Sequence, residues 1–223
     1  MFRPHGLLAI IPLFLLGFCD QSEPPATADT PPLDAAFVRL SPLEAAALPV
    51  AVRFDAPMGT EAGAFTYNAQ PFRVTRHLGD DLNGIGGWNS DLGDAIYASS
   101  TGTVVYAGWP SDGWGNMVYL AHRMPDETAP GGQKVLITVY AHLDKVLVKY
   151  GDLVPRGTKL GTAGTAGGKY LAHLHFEVRD SHSIYPGPGY SDAALDRMSP
   201  GSLIRARGVP GEMAPLGPPE KVR

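Results

Sequence analysis

From Val50 onward, apolar and polar positions alternate in short runs and do not recur with the period of a helix. Strand-sized segments fall at Val50–Phe54, Phe72–Thr75, Ala95–Ala98, Thr103–Ala107, Met117–His122, Val135–His142, Lys159–Gly161 and Leu174–Arg179. Clusters of Gly, Pro, Asn and Asp separate them and suit tight turns. Short strands at close spacing predict an antiparallel sheet meander that curls on itself. Ser99–Gly102 and Tyr150–Asp152 read as hairpin connections, and Pro125–Gly132 reads as a polar surface loop. Upstream, Ser41-Pro42-Leu43-Glu44 has the elements of a capping box with Pro at the first helical position, which predicts one short helix reaching Leu48. The expected fold class is therefore mainly β, a curled antiparallel sheet with one short N-terminal helix and long loops.

Composition narrows the organisation. At 223 residues, 44% hydrophobic and 18% charged, the chain can bury one well-cored domain and carry tails. A net charge of -4 without a Lys/Arg block argues against nucleic acid as a partner, because non-specific affinity for a phosphate backbone comes from clustered cations. The N-terminus places Arg3 before an uncharged apolar run, Gly6 to Phe18, and then the sole cysteine, Cys19. That is the layout of a secretory signal over residues 1–18, too short for a comfortable membrane span. Cys19 sits where the lipobox of bacterial lipoproteins has its acylated cysteine, although Phe18 departs from the small residue usual before it. The expectation is export to the cell envelope with Cys19 lipidated as a membrane anchor. Residues 19–34, rich in Pro, Thr and Ala, read as a disordered tether, residues 35–207 as the domain, and the Pro/Gly-rich residues 208–223 as a disordered tail.

Three histidine-bearing segments carry the candidate chemistry. In Ala172-His173-Leu174-His175-Phe176-Glu177-Val178, period-2 alternation sends Leu174, Phe176 and Val178 to the core and both histidines with Glu177 to the other face. His77-Leu78-Gly79-Asp80-Asp81 supplies an imidazole and a carboxylate four residues apart, with Gly79 expected to allow a tight loop. Taken alone, that pair reads first as a loop salt bridge or an Asx turn, and the other two segments reverse that. Tyr140-Ala141-His142-Leu143 closes a β-branched run. A hydrolytic zinc site needs three nitrogen or oxygen ligands and one open position, and His77, Asp81 and His175 meet that specification. His122 and His182 lie outside these segments and are expected to bond backbone or face solvent.

In order, these three segments resemble the motifs of lysostaphin-type (LytM-type) peptidoglycan zinc endopeptidases. Gly102–Gly108, Gly113–Asn116 and Val148–Gly157 are similar to the same family's framework, so the resemblance covers about residues 70–180. It implies a LytM-like sheet of the duplicated-hybrid-motif type and one Zn2+ per chain held by His77, Asp81 and His175. It implies catalytic His142 and His173, unligated and flanking the attacking water, with bacterial peptidoglycan as substrate. Asn116 falls where the family often has a substrate-binding residue, although from the sequence itself it reads first as a turn residue after Gly115. Glu177 lies about 7 Å beyond His175 at the strand rise, a place suited to orienting a ligand. The loop Leu82–Gly93 is longer than in the family, and its Trp88 either lines a subsite or anchors the loop. The alternative function is a non-catalytic envelope regulator of the same fold, but such relatives lose metal ligands and all five positions stand here. A lipoyl-type carrier reading of Gly151–Gly168 fails because Lys169 lacks the Met-Lys setting of a carrier hairpin.

Overall fold

The computed structural model describes residues 39–208. The expected signal, Cys19, the tether and the tail beyond Gly208 lie outside the described residues. Ser41 accepts from the Glu44 amide at 3.2 Å while the Glu44 carboxylate accepts from the Ser41 amide at 2.8 Å. This reciprocal box starts α1, Pro42–Ala47, as the sequence predicts. Ten strands follow: β1 Thr66–Gln70, β2 Asp80–Gly84, β3 Ala95–Tyr97, β4 Gly102–Gly108, β5 Asn116–Pro125, β6 Gln133–Val146, β7 Leu153–Val154, β8 Lys159–Ala163, β9 Leu174–Arg179 and β10 Arg197–Met198. Helix α2, Pro200–Arg207, is the last element among the described residues.

All strand pairs are antiparallel, in the order β1-β2-β9-β6-β5-β4-β7, with β10 on β9 and β8 bridging β6 to β3. The organising element is β6. One edge pairs with β5; the other pairs with β9 through Ile137–Ala141 and then with β8 from Leu143 to Val146. The ladder forks at His142. Both faces of β5 and β6 are buried. Val118, Leu120, Leu136 and Tyr140 join Phe54, Ile96, Leu160, Phe176 and Leu203 inside the curl. Met117, Tyr119, Ile137 and Val139 join Trp114, Ile184 and α1's Ala45 on the outer side. Burial on two faces explains why these strands read as continuous apolar runs.

Several local expectations are corrected. Val50–Phe54 forms no strand: Val50 makes a single bridge to Arg123, and the segment runs into the core at Phe54. Phe72–Thr75 is a turn with Arg73 at φ 62°. The strands lie on either side of it, in Thr66–Gln70 and in Asp80–Gly84, whose polar sequences carry no strand signal. Asp81 therefore belongs to a strand, not to the tight loop expected between it and His77. Gly79 is needed for close approach: a Cβ there would lie 2.8 Å from the His175 ring and from the Phe176 carbonyl. Ser99–Gly102 and Tyr150–Asp152 are not hairpins, because β3 pairs with β8, and β7 pairs with β4. Helix α2 adds a second helix to the one expected; Ser199 caps it by accepting from the Ser202 amide at 3.2 Å ahead of Pro200, the same Ser-Pro start as α1.

Candidate metal centre

Antiparallel pairing of β2 with β9 sets Asp81 directly opposite His175. His77 reaches the same point from the preceding loop, where it bridges to Tyr190. One donor atom from each converges: His77 Nε2 to His175 Nδ1 is 3.0 Å, His175 Nδ1 to Asp81 Oδ1 is 2.9 Å, and His77 Nε2 to Asp81 Oδ1 is 3.3 Å. Tetrahedral zinc with bonds of 2.0–2.1 Å places its ligand atoms roughly 3.3 Å apart, close to this triangle. Both histidines are buried.

The outer hydrogen bonds fix which nitrogen each ring offers. His77 Nδ1 lies 3.0 Å from the Gln70 carbonyl, so it carries the proton and Nε2 presents a lone pair. His175 Nε2 lies 3.2 Å from Glu177 Oε1, so its Nδ1 presents the lone pair. Two imidazole lone pairs and a carboxylate oxygen thus face one point, a donor set of borderline-soft nitrogens and hard oxygen that suits a divalent zinc ion. Glu177 is itself held by Arg179, with Nε at 2.7 Å and a terminal nitrogen at 2.6 Å, and the Arg179 guanidinium also donates to the Tyr185 and Pro186 carbonyls. Glu177 and Arg179 are fully buried, and Arg197 approaches the same carboxylate at 3.4 Å.

Charges follow from these contacts. Burial alone would raise Asp81, but with no cation in the triangle its interactions with His175 and then His77 hold it well below the usual carboxylate range. Burial would lower His175; the hydrogen bonds and charges of Asp81 and Glu177 outweigh it and lift the ring to about 9 when no cation competes. Glu177 remains ionised despite burial because the Arg179 and Arg197 charges lower it strongly.

His142 and His173 stand beside the triangle with ring centroids 4.8 Å apart, and His142 lies 5.5 Å from His175. His142 Nδ1 lies 3.1 Å from the Trp114 carbonyl and His173 Nδ1 lies 2.7 Å from the Leu171 carbonyl, which leaves Nε2 as the basic nitrogen of each. His173 Nε2 is 3.6 Å from Asp81 Oδ1. Burial, followed by the neighbouring His173 and His175, pushes His142 well below the usual imidazole value, so it is neutral at physiological pH. His142 sits at the β6 fork with φ 63°, a left-handed strain of the kind that collects at functional sites. Asn116 supports that fork: its Nδ2 donates to the Leu143 and Asp144 carbonyls, each at 3.2 Å.

The structure adds residues that the motifs do not announce. Tyr170 packs 4.9 Å from the His142 ring, Tyr190 packs 5.1 Å from His77 and donates to Gln70 Oε1, and Trp114 meets His175 edge-on at 5.3 Å. These aromatics lie in Gly/Pro-rich connections where no periodicity marks them. Buried His122 contacts the Thr101 carbonyl and the Thr138 hydroxyl, and the His182 carbonyl accepts from Leu40. Trp88, with 84% of its surface exposed, does not anchor its loop by packing.

Together the forked antiparallel sheet and the two-imidazole, one-carboxylate triangle define a β domain with a candidate metal site. A family model, Peptidase family M23, matches residues 83–186, a span that contains His142, His173 and His175 and begins two residues after Asp81. The chain belongs to this family. Lipoprotein NlpD of Yersinia enterocolitica is 34% identical over 87 residues, 39% of this chain and 78% of that protein. Peptidoglycan DD-endopeptidase ShyB of Vibrio cholerae is 35% identical over 112 residues, 48% of this chain and 21% of that protein. The murein hydrolase activator NlpD of Escherichia coli is 37% identical over 87 residues, 39% of this chain and 20% of that protein. The alignments with the first curated relatives span only 15 to 30% of those proteins' length. Among solved structures, the antimicrobial peptidase lysostaphin from Staphylococcus simulans aligns with TM-score 0.47 and 24% identity over 72% of this chain and 57% of that one.

Proposed function

We propose that the chain is a zinc-dependent endopeptidase that hydrolyses peptide bonds in the stem or cross-link peptides of bacterial peptidoglycan. The observation that carries this reading is the meeting of His77 Nε2, His175 Nδ1 and Asp81 Oδ1 within 2.9–3.3 Å of one another, beside two further imidazoles. His77, Asp81 and His175 would hold the ion. When bound, zinc supplies Lewis acidity toward the scissile carbonyl and brings the pKa of water toward about 7.

The remaining steps belong to this chain's own groups. His142, neutral and turned by the Trp114 carbonyl, offers Nε2 to accept a proton. His173, turned by the Leu171 carbonyl, offers its own Nε2 on the other side. Once protonated, either Nε2–H can donate to a developing oxyanion or return the proton to the leaving amine. Burial of both ligand histidines and of His142 limits bulk water and strengthens these contacts.

The test is to measure bound zinc and the release of new amino termini from purified sacculi by the purified chain. His175→Ala should lose the metal; His142→Ala should keep it and lose cleavage. Zinc-loaded wild type that releases no amino termini from any wall preparation would favour the regulator reading, which the name of the Escherichia coli relative supports. We further propose that Cys19 is lipidated and holds the chain in the envelope, as the name of the Yersinia relative suggests. Cys19→Ser should move it from the detergent phase to the aqueous phase.

A further inference from the structure

The connection between β2 and β3 spends conformational free energy on holding one indole in water. Trp88 has φ 50°, a left-handed conformation that is a genuine outlier for a bulky residue, and 84% of its surface is exposed. Its neighbours are clamped. Asn89 Oδ1 accepts from the Ala172 amide at 2.8 Å, and Asn83 Nδ2 donates to the Ala172 carbonyl at 3.3 Å and to Asp91 at 3.2 Å. Further along, the Gly93 amide donates to the Ala163 carbonyl at 2.9 Å. Ala172 immediately precedes His173, so this clamp ties the loop that carries Trp88 to the strand entry that carries His173. Ile85 and Leu92 of the same loop, and Leu171 beside Ala172, are exposed as well.

A single surface tryptophan needs no explanation. One that is fixed in a costly backbone conformation on a loop tied to the site, and gains little packing in return, does.

We propose that Trp88 is a sugar platform: its indole face receives a pyranose ring of the glycan strand whose peptides enter the site. The inference rests on the peptidoglycan reading above and deepens it, because the chain then recognises the saccharide as well as the peptide. The chemistry fits a neutral ring better than a short peptide side chain. One face of a pyranose presents several C–H groups with partial positive charge, which pack on the negative face of the indole and cover it. A clamped loop holds that face ready, so little ordering entropy is lost on binding.

The test uses the soluble tetrasaccharide of N-acetylglucosamine as probe, titrated into wild type, Trp88→Ala and Trp88→Phe. Wild type should show a saturable shift of the Trp88 indole N–H resonance, and the dissociation constant should rise roughly tenfold in Trp88→Ala and less in Trp88→Phe. This titration needs no hydrolysis. If the chain cleaves no wall, the peptidase reading fails while saturable sugar binding still supports the platform. Turnover gives a second readout: Trp88→Ala should raise KM for a glycan-bearing cross-linked muropeptide roughly tenfold more than for the same cross-linked peptide without sugar. The exposed position leaves folding intact, which circular dichroism checks. The proposal is overturned by a Trp88 resonance that does not respond to the sugar, or by equal losses on both substrates.

Discussion

Nε2 of His77 and Nδ1 of His175 face one another at 3.0 Å, although the other nitrogen of each ring is already engaged, one by the Gln70 carbonyl and one by Glu177. Two lone pairs at that separation repel unless a proton or a cation lies between them. Without a cation His175 is raised to about 9, so a proton takes that place at neutral pH; zinc bound by the folded chain joins all three donors at once, and removing it should destabilise the fold. At a free ion concentration a hundred times the dissociation constant, binding contributes about 2.7 kcal/mol, or roughly 5–10 °C in Tm for a domain of this size. Differential scanning calorimetry with and without a chelator, followed by zinc add-back, measures it; a Tm indifferent to both would contradict the centre.

Glu177 is placed to choose the nitrogen that His175 presents. Glu177→Gln keeps the shape but puts an amide against the Arg179 guanidinium, which already donates to that carboxylate at 2.7 Å. Zinc affinity should fall about 10- to 100-fold, as is usual when a partner behind a ligand is lost. Competition with a chelating dye reads the affinity directly, and circular dichroism separates it from misfolding.

Gly79→Ala would place a methyl group 2.8 Å from both Cε1 and Nε2 of the His175 ring and from the Phe176 carbonyl. Neither the paired backbone nor the buried ring can yield cheaply, so the expected cost is about 1–3 kcal/mol, together with weaker zinc binding. Urea denaturation and metal analysis of the same preparation check the two effects.

His122 should make the fold acid-sensitive independently of the metal. Burial lowers it from 6.5 to about 4, against a smaller opposing effect of its bond to the Thr101 carbonyl. Above pH 6.5 the ring is neutral in both folded and unfolded chains. Between pH 6.5 and 4 only the unfolded chain takes up the proton, so stability falls with falling pH, by about 3 kcal/mol across that window. His122→Leu should be less stable at neutral pH, because the Thr101 carbonyl and Thr138 hydroxyl lose a partner. It should also show a flatter pH dependence, measured as Tm at intervals from pH 7 to 4.

What the sequence makes legible here depends on how many faces a strand buries. The apolar runs of β5 and β6 are readable because both faces of each meet a core. Strands β1 and β2 are not, since Thr66–Gln70 and Asp80–Gly84 owe their extended form to pairing, β1 with β2 and β2 with β9. The misreading of Asp81 as a loop residue follows from the same cause. The donor set is nonetheless readable from residue type and order, because His77, Asp81 and His175 were chosen for chemistry and not for secondary-structure preference. Their supports were less visible. Arg179 looks like any strand-end cation, and only its burial against Glu177 and Tyr119 sets it apart. Asn116, expected near the groove or in a turn, spends its amide on the carbonyls after His142.

The fork at His142 ties the chemistry to the sturdiest part of the molecule. β2, β9 and β6 are each laddered on both edges, so the amides around Asp81, His175 and Ala141 should exchange with deuterium only through openings close to complete unfolding. Heat should then abolish turnover and native circular dichroism in one transition, with no inactive yet folded species between them. A relative that has shed its metal ligands would keep that same rigidity, and so a firm surface with which to meet other proteins.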